Sequence, residues 1–315
     1  MKLIIQIPCF NEAATLPGTL ADLPCAIPGF DEVEILVVDD GSTDGTGQIA
    51  RDAGVDHVLR FVSNRGLAAA FRAGLDKALA LGADVIVNTD GDNQYPGTAI
   101  PELVRPIVDG EAELVVGVRN IENVPHFSRF KKRLQRAGSA VVRRFSGLRV
   151  EDATSGFRAF SRRAATRLNV INRYTYTLET LIQAGRQDLA VVTVPIDVNP
   201  KTRESRLIRS TPKYIWRSAI TIVRMFITYE PLRALGSIAA LLLGVGMLIG
   251  MRFVYFYCTE GGRGHVQSLI LAAILIIIGF QTGVLGVLAD LSATNRRLLE
   301  DLLARSRQRT RDDGS

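Results

Sequence analysis

Cysteine and histidine are scarce in this sequence, which has three of each among its 315 residues. The cysteines lack the spacing of metal ligands and form no even set for a disulfide framework, as expected in a reducing compartment. The histidines form no cluster along the chain. These absences argue against a zinc site and against a small disulfide-stabilised domain. We therefore interpret Cys9, Cys25 and Cys258 as structural residues.

The sequence also lacks any nucleic-acid-binding motif, although its net charge is +6 and its isoelectric point is about 9.4. Lysine and arginine concentrate beside the most apolar stretches of the chain. Basic residues in that position favour anionic lipid headgroups. We therefore expect a membrane, and not a nucleic acid, as the partner of the basic residues.

Two long apolar stretches carry most of the hydrophobic excess of a chain whose mean hydropathy is +0.16. Residues 235–257 and 266–291 are each about long enough to cross a hydrocarbon core of roughly 30 Å as a helix. We interpret them as transmembrane helices, the alternative being two core helices of a soluble domain. Arginines flank the pair, whereas the connector between them holds one. The positive-inside rule then predicts an integral protein of the cytoplasmic membrane, with the preceding domain and both termini cytoplasmic.

Glycines in the second apolar stretch, at positions 279, 283 and 286, suggest close helix packing. Small residues on successive turns let helices approach each other in lipid. We expect homo-oligomerisation through these helices, while tight packing confined to the hairpin is the alternative.

Strand-like and helix-like patterns alternate along the first 120 residues. The strand-like runs are 3–7, 33–38, 57–62, 84–89 and 113–118, and the helix-like runs are 12–23, 46–53, 67–81 and 100–108. This alternation predicts an α/β domain whose mostly parallel sheet is covered on both faces. From about residue 125 to 229 the pattern changes to basic amphipathic helices, and the polar tail after Arg305 is predicted to be disordered.

The predicted organisation has four parts. Residues 1–209 form the α/β domain, 210–233 form interfacial amphipathic helices, 234–292 form two transmembrane helices, and 293–315 form a basic cytoplasmic tail.

Polar residues follow four of the predicted strands, in the segments 8–12, 39–45, 63–66 and 90–94. Ligands of such sheets bind beyond the carboxyl ends of the strands. In the last segment Asp90, Asp92 and Gln94 occupy alternate positions, which point to one side of an extended chain. Their oxygens suit Mg2+ or Mn2+ with open positions for phosphate, so the segment predicts a metal-assisted diphosphate site. The alternative is a polar turn after a buried strand.

At this point the motifs resemble those of a known family. They are Ile7-Pro-Cys-Phe-Asn-Glu12, Val37-Val-Asp-Asp-Gly-Ser-Thr-Asp-Gly-Thr46, Asn64-Arg-Gly66, Asp90-Gly-Asp-Asn-Gln94 and Asp152-Ala-Thr-Ser-Gly-Phe-Arg158, followed by two terminal apolar helices. Together they are similar to the family-2 glycosyltransferases of the polyprenyl-phosphate hexose synthase type, which include dolichyl-phosphate mannose synthase and undecaprenyl-phosphate glucosyltransferases.

The resemblance implies a GT-A fold and the inverting transfer of a hexose from a UDP- or GDP-linked donor to undecaprenyl or dolichyl phosphate on the cytoplasmic leaflet. It also implies that Mg2+ or Mn2+ is held by Asp90, Asp92 and Gln94. The implied donor-nucleotide residues are Pro8, Asn11, Glu12, Asp39, Asp40, Asn64, Gly66 and Asp90.

By the same resemblance the catalytic group comprises Asp92 together with Arg119, Lys132 and Arg133, the last three as contacts of the acceptor phosphate. Further acceptor or sugar candidates are Asp152, Ser155, Arg158, Glu179, Arg203 and Arg206. The family often has glycine before the Ser-Lys of its late loop, whereas this chain has Glu204 at the glycine position and Arg206 for lysine. For Asp152, Arg158 and Glu179 a structural role is the alternative.

Two other functions remain open at this stage. A processive polysaccharide synthase shares the early motifs, but it needs a Gln-x-x-Arg-Trp element that this chain lacks. A non-catalytic membrane scaffold could keep the fold and bind a nucleotide only to regulate a partner. The intact Asp90, Asp92, Gln94 and Arg119 argue against the scaffold.

Overall fold

A computed structural model describes residues 1–119, 147–148, 150, 152–170, 176–199, 226–227, 230–261 and 266–312. The chain divides into two compact units, one of residues 1–209 with 303–315 and one of residues 210–302. The first unit contains the sheet and the second contains two long apolar helices.

The sheet of the first unit has seven strands among the described residues, in the order β3-β2-β1-β4-β6-β5-β7. They are β1 (Lys2–Cys9), β2 (Glu32–Asp39), β3 (His57–Arg60), β4 (Val85–Asn88), β5 (Leu114–Arg119), β6 (Arg158–Ser161) and β7 (Val191–Ile196). Strand β6 runs antiparallel to its neighbours β4 and β5, and the other pairings are parallel. The predicted mostly parallel α/β sheet is therefore confirmed.

Helices connect and cover these strands. They are α1 (Leu16–Asp22), α2 (Thr46–Asp52), α3 (Leu67–Ala80), α4 (Ile100–Val108), α5 (Arg162–Arg167) and α6 (Thr177–Arg186), with a short 3-10 turn at Gly97–Ala99. Strand β1 is buried along nearly its whole length, which explains its continuous apolar run. Residues Leu3, Ile5 and Ile7 share a core cluster with Leu16 of α1 and Leu103 of α4. The strands are thus set by burial on both faces.

The prediction of basic helices throughout residues 125–229 was wrong at two places, because β6 and β7 lie within that range. Strand β6 has only four residues and begins with a charged one, Arg158, so its periodicity is too short to indicate a strand. The α/β domain therefore has an additional antiparallel strand in its middle, and this strand matters for the site described below.

Helix α7 (Pro231–Glu260) and helix α8 (Val266–Asp312) up to Leu302 belong to the second unit, and they include two segments long and apolar enough to cross a membrane. These segments are Pro231–Thr259 and Val266–Asn295, with hydropathies of 2.2 and 2.4. Helix α7 is capped at its C-terminus by Gly261, whose φ of 69° is left-handed. Helix α8 continues to Asp312, so the prediction of a disordered tail after Arg305 was wrong for residues 306–312.

The two apolar helices pack on each other through glycine. A Cβ atom added to Gly279 would lie 2.9 Å from Leu243 Cγ and 3.2 Å from the Ala239 carbonyl oxygen. One added to Gly286 would lie 3.2 Å from Leu235 Cβ. The glycines that suggested homo-oligomerisation are therefore used inside the hairpin, as the alternative interpretation expected. Homo-oligomerisation stays a prediction that these residues do not support.

Candidate active site

The carboxyl edge of the sheet is the edge at which β1, β2, β4 and β5 end, with Cys9, Asp39, Asn88 and Arg119. Because β6 is antiparallel, it begins at this edge, and its first residue, Arg158, pairs with Asn88. The segment before β6, which includes residues 152–157, therefore reaches the same edge. Polar segments far apart in sequence meet there.

The loops after β1 and β2 are joined by side-chain to main-chain hydrogen bonds. The Thr43 amide donates to Asn11 Oδ1 at 2.8 Å, and the Asn11 amide donates to Ser42 Oγ at 2.9 Å. The Glu12 amide donates to Thr46 Oγ1 at 2.9 Å. Asn11 has a left-handed φ of 55°, which asparagine tolerates better than most residues. The predicted nucleotide loops thus form one surface, while Pro8 is buried inside β1.

Asp39 lies fully buried at the end of β2, between its own loop and β3. Its Oδ1 accepts a hydrogen bond from the Ser42 amide at 2.8 Å. Its Oδ2 is 3.4 Å from Arg60 Nε and has no hydrogen-bond partner among the described residues. Gly47 makes room for it, because a Cβ there would clash with Oδ2. Asp39 and Arg60 therefore form a charge pair beside the surface made by the loops after β1 and β2.

Asp40, unlike Asp39, binds main-chain amides of the loop after β3. Its two oxygens accept hydrogen bonds from the amides of Arg65 at 2.7 Å and Gly66 at 2.8 Å. Burial raises the pKa of this carboxyl above its ordinary value. Asp40 thus holds the loop after β3, in which Gly66 is partly buried and Asn64 is exposed.

The segment after β4 forms a turn and not the extended chain on which the prediction rested. Strand β4 ends at Asn88, and Asn93 has a left-handed φ of 54°. The Gln94 amide donates to Asp92 Oδ1 at 3.2 Å. Asn199, after β7, donates from its side chain to the Asn93 carbonyl oxygen and from its amide to the Gln94 carbonyl oxygen, both at 3.0 Å. The expectation of three side chains alternating on one strand was therefore wrong in geometry.

Asp90 and Asp92 remain together in this turn. In the part of the chain that the structure describes, no group of three or more His, Cys, Asp or Glu side chains is placed to hold a metal ion alone. Mg2+ is usually bound by one or two carboxylates together with substrate phosphates, and not by a cage of protein ligands. Two carboxylates on a turn at the carboxyl edge fit that kind of site.

Arg119, the last residue of β5, forms a two-pronged ion pair with the buried Asp152. Its Nε lies 2.7 Å from Asp152 Oδ2, and its Nη2 lies 3.2 Å from Oδ1 and 3.1 Å from Thr154 Oγ1. Burial opposes the charge of Asp152, but the guanidinium outweighs it and holds the pKa of Asp152 below its ordinary value. Among the described residues, Arg119 Nη1 makes no hydrogen bond, and 15% of the Arg119 side chain is exposed.

Arg158 is fully buried and bonds mainly to main-chain carbonyls. Its guanidinium donates to the carbonyl oxygens of Ser155 at 2.9 Å, Thr177 at 2.8 Å and Ala153 at 3.0 Å. Desolvation lowers its pKa to about 10. It joins the segment before β6 to the first turn of α6, which is a scaffold arrangement.

Two other acceptor candidates also lie inside the fold, since Ser155 is fully buried and Glu179 is nearly so. Four predicted residues, Lys132, Arg133, Arg203 and Arg206, lie outside the described residues.

Sequence reasoning missed the buried side chains that surround Gly156. They are Asn88, Tyr95 and Tyr176, none of which is more than 3% exposed. A polar residue at the end of the apolar run Val85–Asn88, two positions before Asp90, is the signal that could have indicated Asn88.

Comparison with known proteins identifies relatives of the chain. A model described as "Glycosyl transferase family 2" matches residues 4–168. The undecaprenyl-phosphate mannosyltransferase of Micrococcus luteus is 33% identical over 207 residues, which cover 62% of this chain and 83% of that protein. The undecaprenyl-phosphate 4-deoxy-4-formamido-L-arabinose transferase of Pseudomonas fluorescens is 28% identical over 317 residues, which cover 96% of this chain and 87% of that protein.

Among solved structures, glucosyl-3-phosphoglycerate synthase of Mycobacterium tuberculosis, in complex with Mn2+, UDP and glucosyl-3-phosphoglycerate, matches with a TM-score of 0.52 and 22% identity. The match covers 71% of this chain and 78% of that one. At this identity the likeness shows a shared fold.

Proposed function

Because the chain belongs to glycosyl transferase family 2, we propose that it transfers a hexose from a nucleotide sugar to a polyprenyl phosphate with inversion at the anomeric carbon. Both relatives described above are named for undecaprenyl-phosphate acceptors, and each is matched over more than four fifths of its length. One structural observation carries the proposal. The carboxyl edge holds the turn with Asp90 and Asp92 and, two strands away, Arg119, whose Nη1 makes no hydrogen bond to the described residues.

The donor side of the site is formed by the loops after β1, β2 and β4. Asn11, Glu12 and Asp39 belong to one hydrogen-bonded surface, which could receive a uridine or guanosine diphosphate. Asp90 and Asp92 would hold Mg2+ or Mn2+ beside the diphosphate. When bound, the ion supplies Lewis-acid stabilisation of the negative charge on the departing diphosphate.

On the acceptor side, Arg119 is the residue that we assign to the lipid phosphate. Asp152 holds the Nε and Nη2 side of its guanidinium, so the Nη1 side is oriented and can donate to a phosphate oxygen. A phosphate monoester has a second pKa of about 6, so it is already anionic at neutral pH and needs little help from a general base. Positioning and charge neutralisation are then the main tasks of the protein.

In the proposed reaction an oxygen of the lipid phosphate forms a bond to the sugar C1. The bond between C1 and the diphosphate oxygen breaks, and its electron pair leaves with the nucleoside diphosphate. Attack opposite to the leaving group inverts C1, so an α-linked donor gives a β-linked product.

The two apolar helices are the membrane anchor in this proposal. Their lengths and hydropathies suit a hairpin that crosses the bilayer twice. The arginines that flank the pair in the sequence favour cytoplasmic placement of both termini and of the α/β unit. A polyprenyl phosphate in the cytoplasmic leaflet would then be available to the site.

A transfer assay tests this function. Membranes that contain the protein are incubated with a polyprenyl phosphate and with radiolabelled UDP- or GDP-linked sugars, one at a time, in Mg2+ or Mn2+. We expect labelled lipid with one donor. No labelled lipid with any donor would contradict the proposal.

The same assay examines the carboxylate turn. Asp92→Asn should lower turnover at least ~100-fold, on the scale of removing one charge-stabilising group. Asp84→Asn, at the opposite end of β4, is the matched control and should keep near wild-type activity, because Asp84 binds the Lys2 amide far from this edge. Full activity in excess chelator would refute the metal assignment.

A further inference from the structure

A buried polar network behind Asp90 is not used by the proposed reaction. Asn88, at the end of β4, accepts a hydrogen bond from Gln6 Nε2 of β1 at 2.9 Å. Its Nδ2 donates to the Gly156 carbonyl oxygen and to Tyr176 Oη, both at 2.9 Å. Gln6, Asn88 and Tyr176 are all essentially without solvent exposure. Asn88 is therefore held in one orientation by three partners.

The network fixes the peptide groups on both sides of Gly156. Its carbonyl oxygen accepts from Asn88 and, at 3.3 Å, from the Tyr176 hydroxyl. Its amide donates to Tyr95 Oη at 3.3 Å. The Tyr176 ring is itself stacked on Phe71, with centroids 3.9 Å apart and planes 4° from parallel. Gly156 thus has little freedom to move.

Asp90 lies against this fixed glycine. A Cβ added to Gly156 would lie 3.1 Å from Asp90 Oδ1, 3.2 Å from Asp90 Oδ2 and 2.9 Å from Tyr176 Oη. Gly156 is not among the described glycines with positive φ, so its backbone would accept alanine. The close approach of the Tyr176 hydroxyl and of the Asp90 carboxylate, and not backbone conformation, is what requires glycine here.

We propose that Asn88 and Tyr176 are positioning residues which, by fixing Gly156, set the position of the Asp90 carboxylate toward the donor diphosphate and its metal ion. The inference rests on the proposed function. A network that served only the stability of the core would make the same hydrogen bonds, so the test must follow metal binding separately from folding.

The first test variant is Tyr176→Phe, which removes one hydroxyl and keeps the ring stacked on Phe71. Thr166→Val is the control, because it also removes a buried hydroxyl, one that donates to the Arg162 carbonyl oxygen within α5 and has no part in the network around Gly156. Mn2+ is titrated into each protein in the presence of UDP, and in parallel of GDP, and free Mn2+ is followed by electron paramagnetic resonance. Thermal unfolding is recorded for each protein.

We expect Tyr176→Phe to weaken Mn2+ binding about three- to tenfold, the effect of one net hydrogen bond. Thr166→Val should leave Mn2+ affinity unchanged, although its unfolding temperature should fall about as much as that of Tyr176→Phe. Gly156→Ala should have a larger effect, about 100-fold on turnover, because the added methyl group would meet both the Tyr176 hydroxyl and the Asp90 carboxylate. If Gly156→Ala does not fold, Tyr176→Phe decides the question alone.

Wild-type Mn2+ affinity in Tyr176→Phe, or an equal loss in Thr166→Val, would overturn this inference while the proposed function stands. If the wild-type protein fails to bind Mn2+ in the presence of UDP and of GDP, and also transfers no sugar, the proposed function itself is overturned. The two failures are therefore distinguishable.

Discussion

Replacement of Arg119 by methionine should destabilise the α/β unit strongly. Methionine keeps much of the length of the side chain but removes its charge, and it leaves the fully buried Asp152 carboxyl without its charge partner. Breaking one side of a buried ion pair costs about 3 to 5 kcal/mol. For a domain of this size each kcal/mol lowers the unfolding temperature by about 2 to 4 °C. Arg119→Met should therefore lower it by about 6 to 20 °C.

The destabilisation should depend on pH in a defined direction. In the wild type the folded-state pKa of Asp152 lies below its ordinary value of 3.8, so the stabilisation is present above that pH and is lost as the pH falls below it. Without Arg119 the hydrogen bonds from Thr154 remain, but burial is the larger influence on this carboxyl, so we expect its folded-state pKa to rise above the ordinary value. The variant then loses stability as the pH rises through that raised pKa. The difference in free energy of unfolding between the wild type and Arg119→Met should thus be smaller at about pH 5 than at about pH 7.

A double-mutant cycle measures the pair directly. Arg119→Met, Asp152→Leu and the double variant are compared by thermal unfolding in detergent. Because the double variant has no unpaired buried charge, it should be more stable than the sum of the single losses predicts. A fall of less than ~2 °C in Arg119→Met, or strictly additive losses, would refute the reasoning.

Three further predictions follow from the same structure. In intact cells a membrane-impermeant thiol reagent should label Cys258, beside the connector, but not Cys25, and the reverse labelling would refute the proposed topology. Gly279→Leu should disrupt the helix hairpin and lower the yield of folded protein. Gly244→Leu should be tolerated, because no atom of the described residues lies within 4 Å of a Cβ added there, and equal yields would contradict this packing. Arg158→Met should cost about 3 kcal/mol or more, measured by unfolding in denaturant, because three carbonyl acceptors lose their donor; a loss below ~1 kcal/mol would refute that role.

Predictions that depended on local pattern agree best with the structure. The five strands expected in the first 120 residues are present, because each apolar run is set by its own burial. The two apolar helices could also be predicted from local pattern, since hydropathy is a local property of the chain. The polar segments at the carboxyl edge could be placed once the strands were known to be parallel.

Predictions about which residues meet were less complete. Alternation along an extended chain does not describe Asp90, Asp92 and Gln94, because the chain turns at Asn93. The glycines of α8 predict contact with a second copy of the chain, whereas in the structure α7 packs against them. In both cases the sequence shows the residue types, but their neighbours depend on how the backbone turns and packs.

The sequence by itself determined the order of strands and helices over the first 120 residues, the two apolar helices and the family of the chain, because these follow from periodicity, hydropathy and motif. Tertiary structure alone decided that β6 enters the sheet antiparallel between β4 and β5. That insertion places Asp152 on Arg119, 33 residues away, and Gly156 beside Asp90. The physical reason is that strand pairing and burial of charge join distant parts of the chain, and no local pattern records that pairing.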